Sequence, residues 1–192
     1  MSSYLVNAIP DIENKRYLEL GTFDGNNFSV VRARDKTGVD FEHPTTYIMK
    51  TDLFFETIPS EEKWDIIYID ADHNCLSILK DFNNSVRHLA KNGIIFLHDM
   101  FPPSEELTKP WYCGSGYIFL DLLRRKRYKR VYTQNPICGD YGLTAVLFPK
   151  TLLEEKDLEL NLKYKDFISR WDTIMYTIDQ MQAILRGEKV NV

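Results

Sequence analysis

The sequence predicts an α/β fold on an open, doubly wound, mostly parallel sheet with an antiparallel edge strand, followed by a C-terminal helical extension. Three observations predict it. Short apolar runs that suit strands alternate with segments of helical period up to about residue 150. Two of those runs, 64–69 and 94–97, are apolar almost throughout, as strands buried on both faces are. Beyond residue 150 the strand signal stops, and apolar residues recur only at helical steps. The 192 residues are therefore read as one domain over 1–150 and an extension over 151–192.

Residues 16–20 form the first strand and run into the loop Gly21-Thr22-Phe23-Asp24-Gly25. Asn26 or Asn27 is placed to cap a helix over 28–34. Short strands follow at 37–40 and 46–49, the second ending near Asp52. The run 64–69 is a central strand that ends at Asp70. Leu76, Leu79, Phe82, Val86 and Leu89 share one face of a helix over 75–90. Lys91-Asn92-Gly93 stops it, with Gly93 as a left-handed cap. Strand 94–97 ends at His98-Asp99, and Pro102-Pro103 opens a loop to about Gly116. A helix over 117–125 leads to strands at 129–133 and 143–148. These two are joined through a Gly-Asp-Tyr-Gly turn and form the antiparallel edge. Phe167, Trp171, Ile174, Ile178, Met181 and Leu185 then make a heptad-like seam. It reads as a terminal helix that packs on its own domain or pairs with a second copy in a homodimer.

Charged residues sum to 24 − 28 = −4, so no overall basic field draws nucleic acid or an anionic membrane. The one concentrated positive run, Arg124-Arg125-Lys126-Arg127 with Lys129-Arg130, reads as a solvated helix end favoured by the helix dipole. No apolar run approaches the roughly 20 residues of a membrane helix. The N-terminus has neither the basic start nor the apolar stretch of a signal peptide, so a cytoplasmic protein is expected. Cys75, Cys113 and Cys138 are too scattered for a disulfide framework or a structural zinc site and read as ordinary thiols.

Ligands of an open parallel sheet bind beyond the carboxyl ends of its strands. Acids are expected at five successive ends: Glu19, Asp40, Asp52, Asp70 with Asp72 and His73, and His98-Asp99. Buried carboxylates cost free energy unless paired, so the set points to a ligand. Gly21 and Gly25 let the backbone turn sharply and approach that ligand closely. The loop lacks the middle glycine of a diphosphate-binding turn, and Glu19 beside it would repel a phosphate. Asp40 lies where a carboxylate accepts from ribose hydroxyls. A ribose-bearing ligand without a diphosphate satisfies both facts.

The pattern Glu-x-Gly-x-x-x-Gly from Glu19 to Gly25 and the acid at Asp40 resemble class I S-adenosylmethionine-dependent methyltransferases. The segment 65–73, Lys80-Asp81-Phe82, the run 89–99, Pro102-Pro103, residues 116–123 and Asp140-Tyr-Gly-Leu143 are similar to a small-molecule O-methyltransferase group within them, methyltransferase family 24. The resemblance spans about residues 15–150, with Ala71 standing where glycine is frequent. It implies a Rossmann-like fold and S-adenosylmethionine as cofactor. It places Glu19, Gly21, Thr22, Phe23, Asp24 and Gly25 around the methionine part and Asp40 on the ribose. Thr51 and Asp52 would lie by the adenine, and Asp70 beside the methyl donor. In metal-dependent relatives the positions of Asp70, His98 and Asp99 hold a divalent cation, here Mg²⁺ or Mn²⁺.

A hydroxyl must lose its proton as it attacks, and Asp70, His73, His98 and Asp99 are the expected catalytic residues. His98 is either a metal ligand or the general base, and His73 is a second candidate for the base. The expected acceptor is a hydroxyl of a small molecule, a sugar or glycan foremost. Trp111, Tyr112 and Tyr117 either stack on that acceptor or close the core. Two rival readings share parts of the pattern: a cofactor-binding relative without catalysis, and an NAD-dependent oxidoreductase. The second shares Asp40 but lacks the diphosphate glycines. The stretch before the first strand is short, so a cover for the acceptor is expected from loop 101–116, the C-terminal helix or a second subunit.

Overall fold

The structure is a computed structural model that describes residues 2–126, 128, 130–137 and 139–190. Eight strands make one sheet: β1 Arg16–Leu20, β2 Asp35–Asp40, β3 Tyr47–Ile48, β4 Trp64–Ile69, β5 Leu89–Leu97, β6 Val131–Gln134, β7 Thr144–Leu147 and β8 Met175–Tyr176. Their order is β3-β2-β1-β4-β5-β7-β6-β8. The first five run parallel, whereas β7 is antiparallel to both β5 and β6. Among the described residues, seven α-helices accompany them: α1 Ser3–Val6, α2 Asn26–Val30, α3 Thr51–Thr57, α4 Cys75–His88, α5 Gly116–Arg125, α6 Tyr164–Arg170 and α7 Ile178–Leu185.

The continuous apolar run of β4 is used on both faces. Ile67 and Ile69 join Phe54, Leu79, Phe82, Phe119 and Phe167 in one buried cluster. Ile66 and Tyr68 join Leu5, Val6, Phe96, Met181 and Leu185 in the other. Each such side chain contributes roughly 1.5–3 kcal/mol on burial. The residues ahead of β1 are thus part of the second layer, and they bring Ser2 into the interior.

Local details depart from the sequence reading. α2 starts at Asn26 and ends at Val30, and its cap is Gly25 at φ 75°, without a side-chain bond. The side chain of Asn27 reaches Glu19 instead. The expected strand 46–49 shortens to two residues, and the chain enters α3 at once. Asp52 therefore lies in the first turn of a helix, not at a strand end. α4 stops at His88 and β5 begins with the next residue. The left-handed residue there is Asn92, at φ 65°, not Gly93. Gly93 is needed for another reason, since a Cβ would lie 2.8 Å from the Asp65 carbonyl oxygen. The strand expected at 129–133 spans Val131–Gln134, and Lys129 lies outside the described residues.

The terminal seam is not one helix. α6 ends at Arg170, β8 pairs with β6, and α7 follows. Phe167 and Trp171 pack in the first cluster, while Met181 and Leu185 are buried in the second. The tail thus passes around the sheet edge, and opposite faces of the sheet claim the two halves of the apolar repeat. Thr177 and Gln180 form a capping box that starts α7 afresh. Within the basic run, Arg124 and Arg125 both bind the buried Asp121, and Lys126 pairs with Asp157. Arg127 and Cys138 are outside the described residues. Cys75 and Cys113 are buried and free. Among the described residues, no helix is long and apolar enough to cross a membrane.

Asp81 on α4 is buried, with Thr51 at the start of α3 favouring its charged form. Burial pushes its carboxyl from 3.8 up to about 7. The folded chain then keeps a proton that the unfolded chain sheds, so stability falls as pH rises between those values. Urea unfolding of the protein is expected to show that fall, and Asp81→Asn to remove most of it. Equal pH profiles for the two proteins would contradict the assignment.

Candidate active site

The parallel ladder continues one residue past each strand. The Gly21 N–H donates to the Val39 carbonyl at 2.7 Å, Asp70 to Leu20 at 2.8 Å and His98 to Ile69 at 3.0 Å. Gly21, Asp40, Asp70 and His98 therefore share one edge of the sheet, as the sequence reading required. Gly21 is set by its neighbour as well as by its turn. Its φ is +83°, and a Cβ would lie 2.2 Å from the Asp70 carbonyl oxygen. Gly25, at φ +75°, has open space around it.

The glycine loop is held from inside by Asp40. Its Oδ2 accepts from the Phe23 N–H at 2.8 Å, and Oδ1 accepts from the N–H groups of Glu42 and His43, both at 2.9 Å. The His43 ring lies 3.1 Å from the same Oδ1. Burial opposes the charge of Asp40, but these backbone donors outweigh it and hold the carboxyl below its ordinary range. Glu19 is buried beneath the loop, where its Oε2 accepts from the Tyr17 hydroxyl and from Asn27 at 3.1 Å. Burial pushes its carboxyl up to about 7. Thr22 keeps a buried hydroxyl without a partner. Asp24 accepts from the Asn26 N–H and shapes the turn. Asp52 is exposed and accepts from its neighbour Leu53. The acids at strand ends thus number four sites, not five.

Asp70 collects both histidines on one oxygen. Its Oδ1 lies 3.1 Å from His73 Nε2 and 3.0 Å from His98 Nδ1. The other His73 nitrogen meets the Tyr112 carbonyl, which ties the 101–116 loop to the site. Burial would raise the Asp70 carboxyl, but the two imidazoles prevail and hold it well below the usual carboxylate range. Burial likewise opposes charge on His98, yet Asp70, Asp99 and Asp140 overcome it and push the imidazole up to about 10.

Asp140 was not singled out by the sequence reading as a site residue. It is fully buried in the turn between β6 and β7. Antiparallel pairing of β7 with β5 sets that turn beside His98, since Thr144 lies opposite Leu97. The Ser2 hydroxyl donates to its Oδ2 at 2.5 Å, while Oδ1 has no hydrogen-bond partner among the described residues and lies 3.9 Å from His98 Nε2. Asp99 adopts φ 52° and accepts from the Tyr141 N–H at 2.9 Å through Oδ1. Its Oδ2 lies 3.5 Å from His98 Nδ1. Donor atoms fall within 4.8 Å of one another in two sets: Asp70, His73 and His98, and His98, Asp99 and Asp140. The expected trio of Asp70, His98 and Asp99 is divided between them.

Trp111 and Tyr112 are exposed beside His73. Tyr117 is buried and donates to the Leu162 carbonyl, so it closes the core. The clefts along Asn92, Arg130 and Phe148 lie at the other end of the sheet, and none of the predicted site residues lines them.

The doubly wound sheet, the glycine turn after β1 and the acidic edge define a class I S-adenosylmethionine-dependent methyltransferase. A methyltransferase-domain family matches residues 4–100, just over half of the chain, and the chain belongs to that family. No curated protein matches it in sequence. The O-methyltransferase TomG of Streptomyces achromogenes, involved in tomaymycin synthesis and solved with SAM, is similar in structure at 14% identity. The match has a TM-score of 0.53 and covers 77% of this chain and 78% of that one. An O-methyltransferase of Bacillus cereus solved with SAH matches at 16% identity and TM-score 0.56, over 76% and 78% of the two chains. Spermidine synthase of Thermotoga maritima matches at 15% identity and TM-score 0.51, over 94% and 66%. At these identities the likeness is one of fold.

The two glycines of the loop separate steric need from turn preference. Gly21→Ala is expected to cost about 3 kcal/mol or more in urea unfolding, and Gly25→Ala only about 1 kcal/mol. Equal losses would show that Gly21 is not pressed against Asp70.

Proposed function

We propose that this methyltransferase carries a methyl group from S-adenosylmethionine to a hydroxyl oxygen of a small molecule, a sugar or glycan foremost, with a divalent cation assisting. The observation that carries the reading is the gathering of Asp70, Asp99 and Asp140 around His98 at the strand ends beside the glycine loop. A neutral hydroxyl is a poor nucleophile and must be partly deprotonated as it attacks. A cluster of carboxylates suits that task. The two O-methyltransferases of like fold support oxygen as the acceptor atom.

The loop fits the cofactor. Thr22 offers an unpartnered buried hydroxyl, and Glu19 and Asp70 supply negative charge for a cationic ligand. Bound there, S-adenosylmethionine supplies an electrophilic methyl group on a sulfonium. Asp40 already meets four chain donors, about as many as a carboxylate accepts. Ribose hydroxyls therefore replace the His43 ring contact when they bind. Thr51 and Asp52 border the adenine side from the start of α3. His73 has both nitrogens engaged and serves as a link between Asp70 and the loop at Tyr112. Asp99 takes the acceptor proton at the oxygen that Tyr141 does not hold. Trp111 and Tyr112 offer faces on which a sugar ring stacks. The donor set around His98 fits a divalent cation, since Asp140 Oδ1 is buried and unpartnered there. Such an ion lowers the pKa of the hydroxyl.

We also place the activity in the cytoplasm, in line with the free thiols Cys75 and Cys113, and with no nucleic-acid substrate. A second copy would meet the tail at Ile168 and Ile174, two of its exposed apolar residues.

Isothermal titration is expected to show micromolar binding of S-adenosylhomocysteine and none of NAD. Tight NAD binding would overturn the reading. In a screen of sugar acceptors with labelled cofactor, His98→Ala and Asp99→Ala should each lower methyl transfer by about 100-fold or more. Cofactor affinity should stay within a few-fold, and full rate in either variant would remove that residue from the chemistry. EDTA should suppress turnover and Mg²⁺ or Mn²⁺ restore it.

A further inference from the structure

We infer that Asp140, with His98 and Asp99, forms the cation site of this protein, and that Asp70 stands outside it. The inference rests on the methyl-transfer reading and names the atoms that hold its ion.

Asp140 is the unusual group. A carboxylate with no exposure normally has both oxygens hydrogen-bonded, because burying an unpaired charge is costly. Here Ser2 satisfies Oδ2, and among the described residues no group hydrogen-bonds Oδ1. The gap of 3.9 Å from Oδ1 to His98 Nε2 is too long for a hydrogen bond. It accommodates an ion bonded to both atoms at about 2.1 Å. Asp99 completes the set, with its donor atom within 4.8 Å of the other two.

Asp70 is differently placed. Its Oδ1 is taken by two imidazole nitrogens at hydrogen-bond distance, and one of them is His98 Nδ1. An N–H donated there fixes the ring so that Nε2 presents its lone pair toward Asp140, as an orienting carboxylate does for a metal-bound histidine. Asp70 thus acts behind the ligand rather than as one. Asp99 needs one oxygen for the ion, which leaves the other for the acceptor proton. One imidazole and two carboxylates favour Mn²⁺ or another transition ion over Mg²⁺ or Ca²⁺, which prefer oxygen alone. The turn that carries Asp140 is fastened on both sides, by Ser2 and by the bonds from Tyr141 N–H to Asp99 and from Phe101 N–H to the Tyr141 carbonyl.

The test is Mn²⁺ titration of the full chain by calorimetry, with S-adenosylhomocysteine affinity measured on the same samples. The wild type should bind Mn²⁺, Asp140→Asn should bind it at least tenfold more weakly, and Asp70→Asn should stay within about threefold. Absence of binding to the wild type, or unchanged binding by Asp140→Asn, would overturn the site. A loss in Asp70→Asn as large as in Asp140→Asn would move the ion to Asp70 and also overturn it. Should Asp140→Asn fail to fold, nitrogen hyperfine couplings of bound Mn²⁺ decide on the wild type and two histidine variants. One imidazole coupling, kept in His73→Gln and lost in His98→Gln, supports the site. Two couplings would place the ion between His73 and His98 and refute it. Loss of S-adenosylhomocysteine binding by the wild type would refute the methyltransferase reading instead, whatever Mn²⁺ does.

Discussion

Two imidazoles lean on a single oxygen of Asp70, and the rest of the site is arranged around that contact. The oxygen is where it is because β4 is central and its ladder carries on into Asp70. Gly21 allows the approach, since any side chain there would strike the Asp70 carbonyl. On one side His73 passes the contact to the loop at Tyr112. On the other, His98 passes it toward Asp99 and Asp140. A shift of Asp70 would move the glycine loop, the 101–116 loop and the His98 ring together.

Carboxyl groups outnumber the imidazoles at this edge among the described residues. Glu19, Asp99 and Asp140 are buried and Asp70 is half-buried, and the imidazoles of His73 and His98 lie against Asp70. Burial pushes the carboxyls of Glu19 and Asp140 up, the cost expected of acids kept from water. A site so built is stabilised by whatever positive group enters it. A sulfonium cofactor and a divalent ion are two such groups, and both belong to the proposed chemistry. The arrangement trades some stability of the ligand-free fold for affinity and for a prepared electrostatic field.

What could be read in the sequence was whatever depends on local period and strand ends. β1 and β4 begin and end where their apolar runs do, and Glu19, Gly21, Asp40, Asp70 and His98 line one edge because parallel strands end in register. What escaped depends on non-local pairing. Asp140 reaches His98 only through the antiparallel return of β7, and Ser2 reaches Asp140 only because α1 packs under the sheet. The terminal seam kept helical spacing across a break, because spacing does not say which face of a sheet will claim each residue. Asp52 was misplaced for a simpler reason. A two-residue strand and a helix start both fit a short apolar stretch followed by Thr51-Asp52.

The measurement that bears most directly on the account is a crystal structure with S-adenosylhomocysteine. The account predicts the amino acid part against residues 21–25, the ribose at Asp40 with the His43 contact broken, and the sulfur facing the Asp70 edge. Ligand bound instead in the cleft along Asn92, Arg130 and Phe148, with the Asp40 contacts intact, would contradict it.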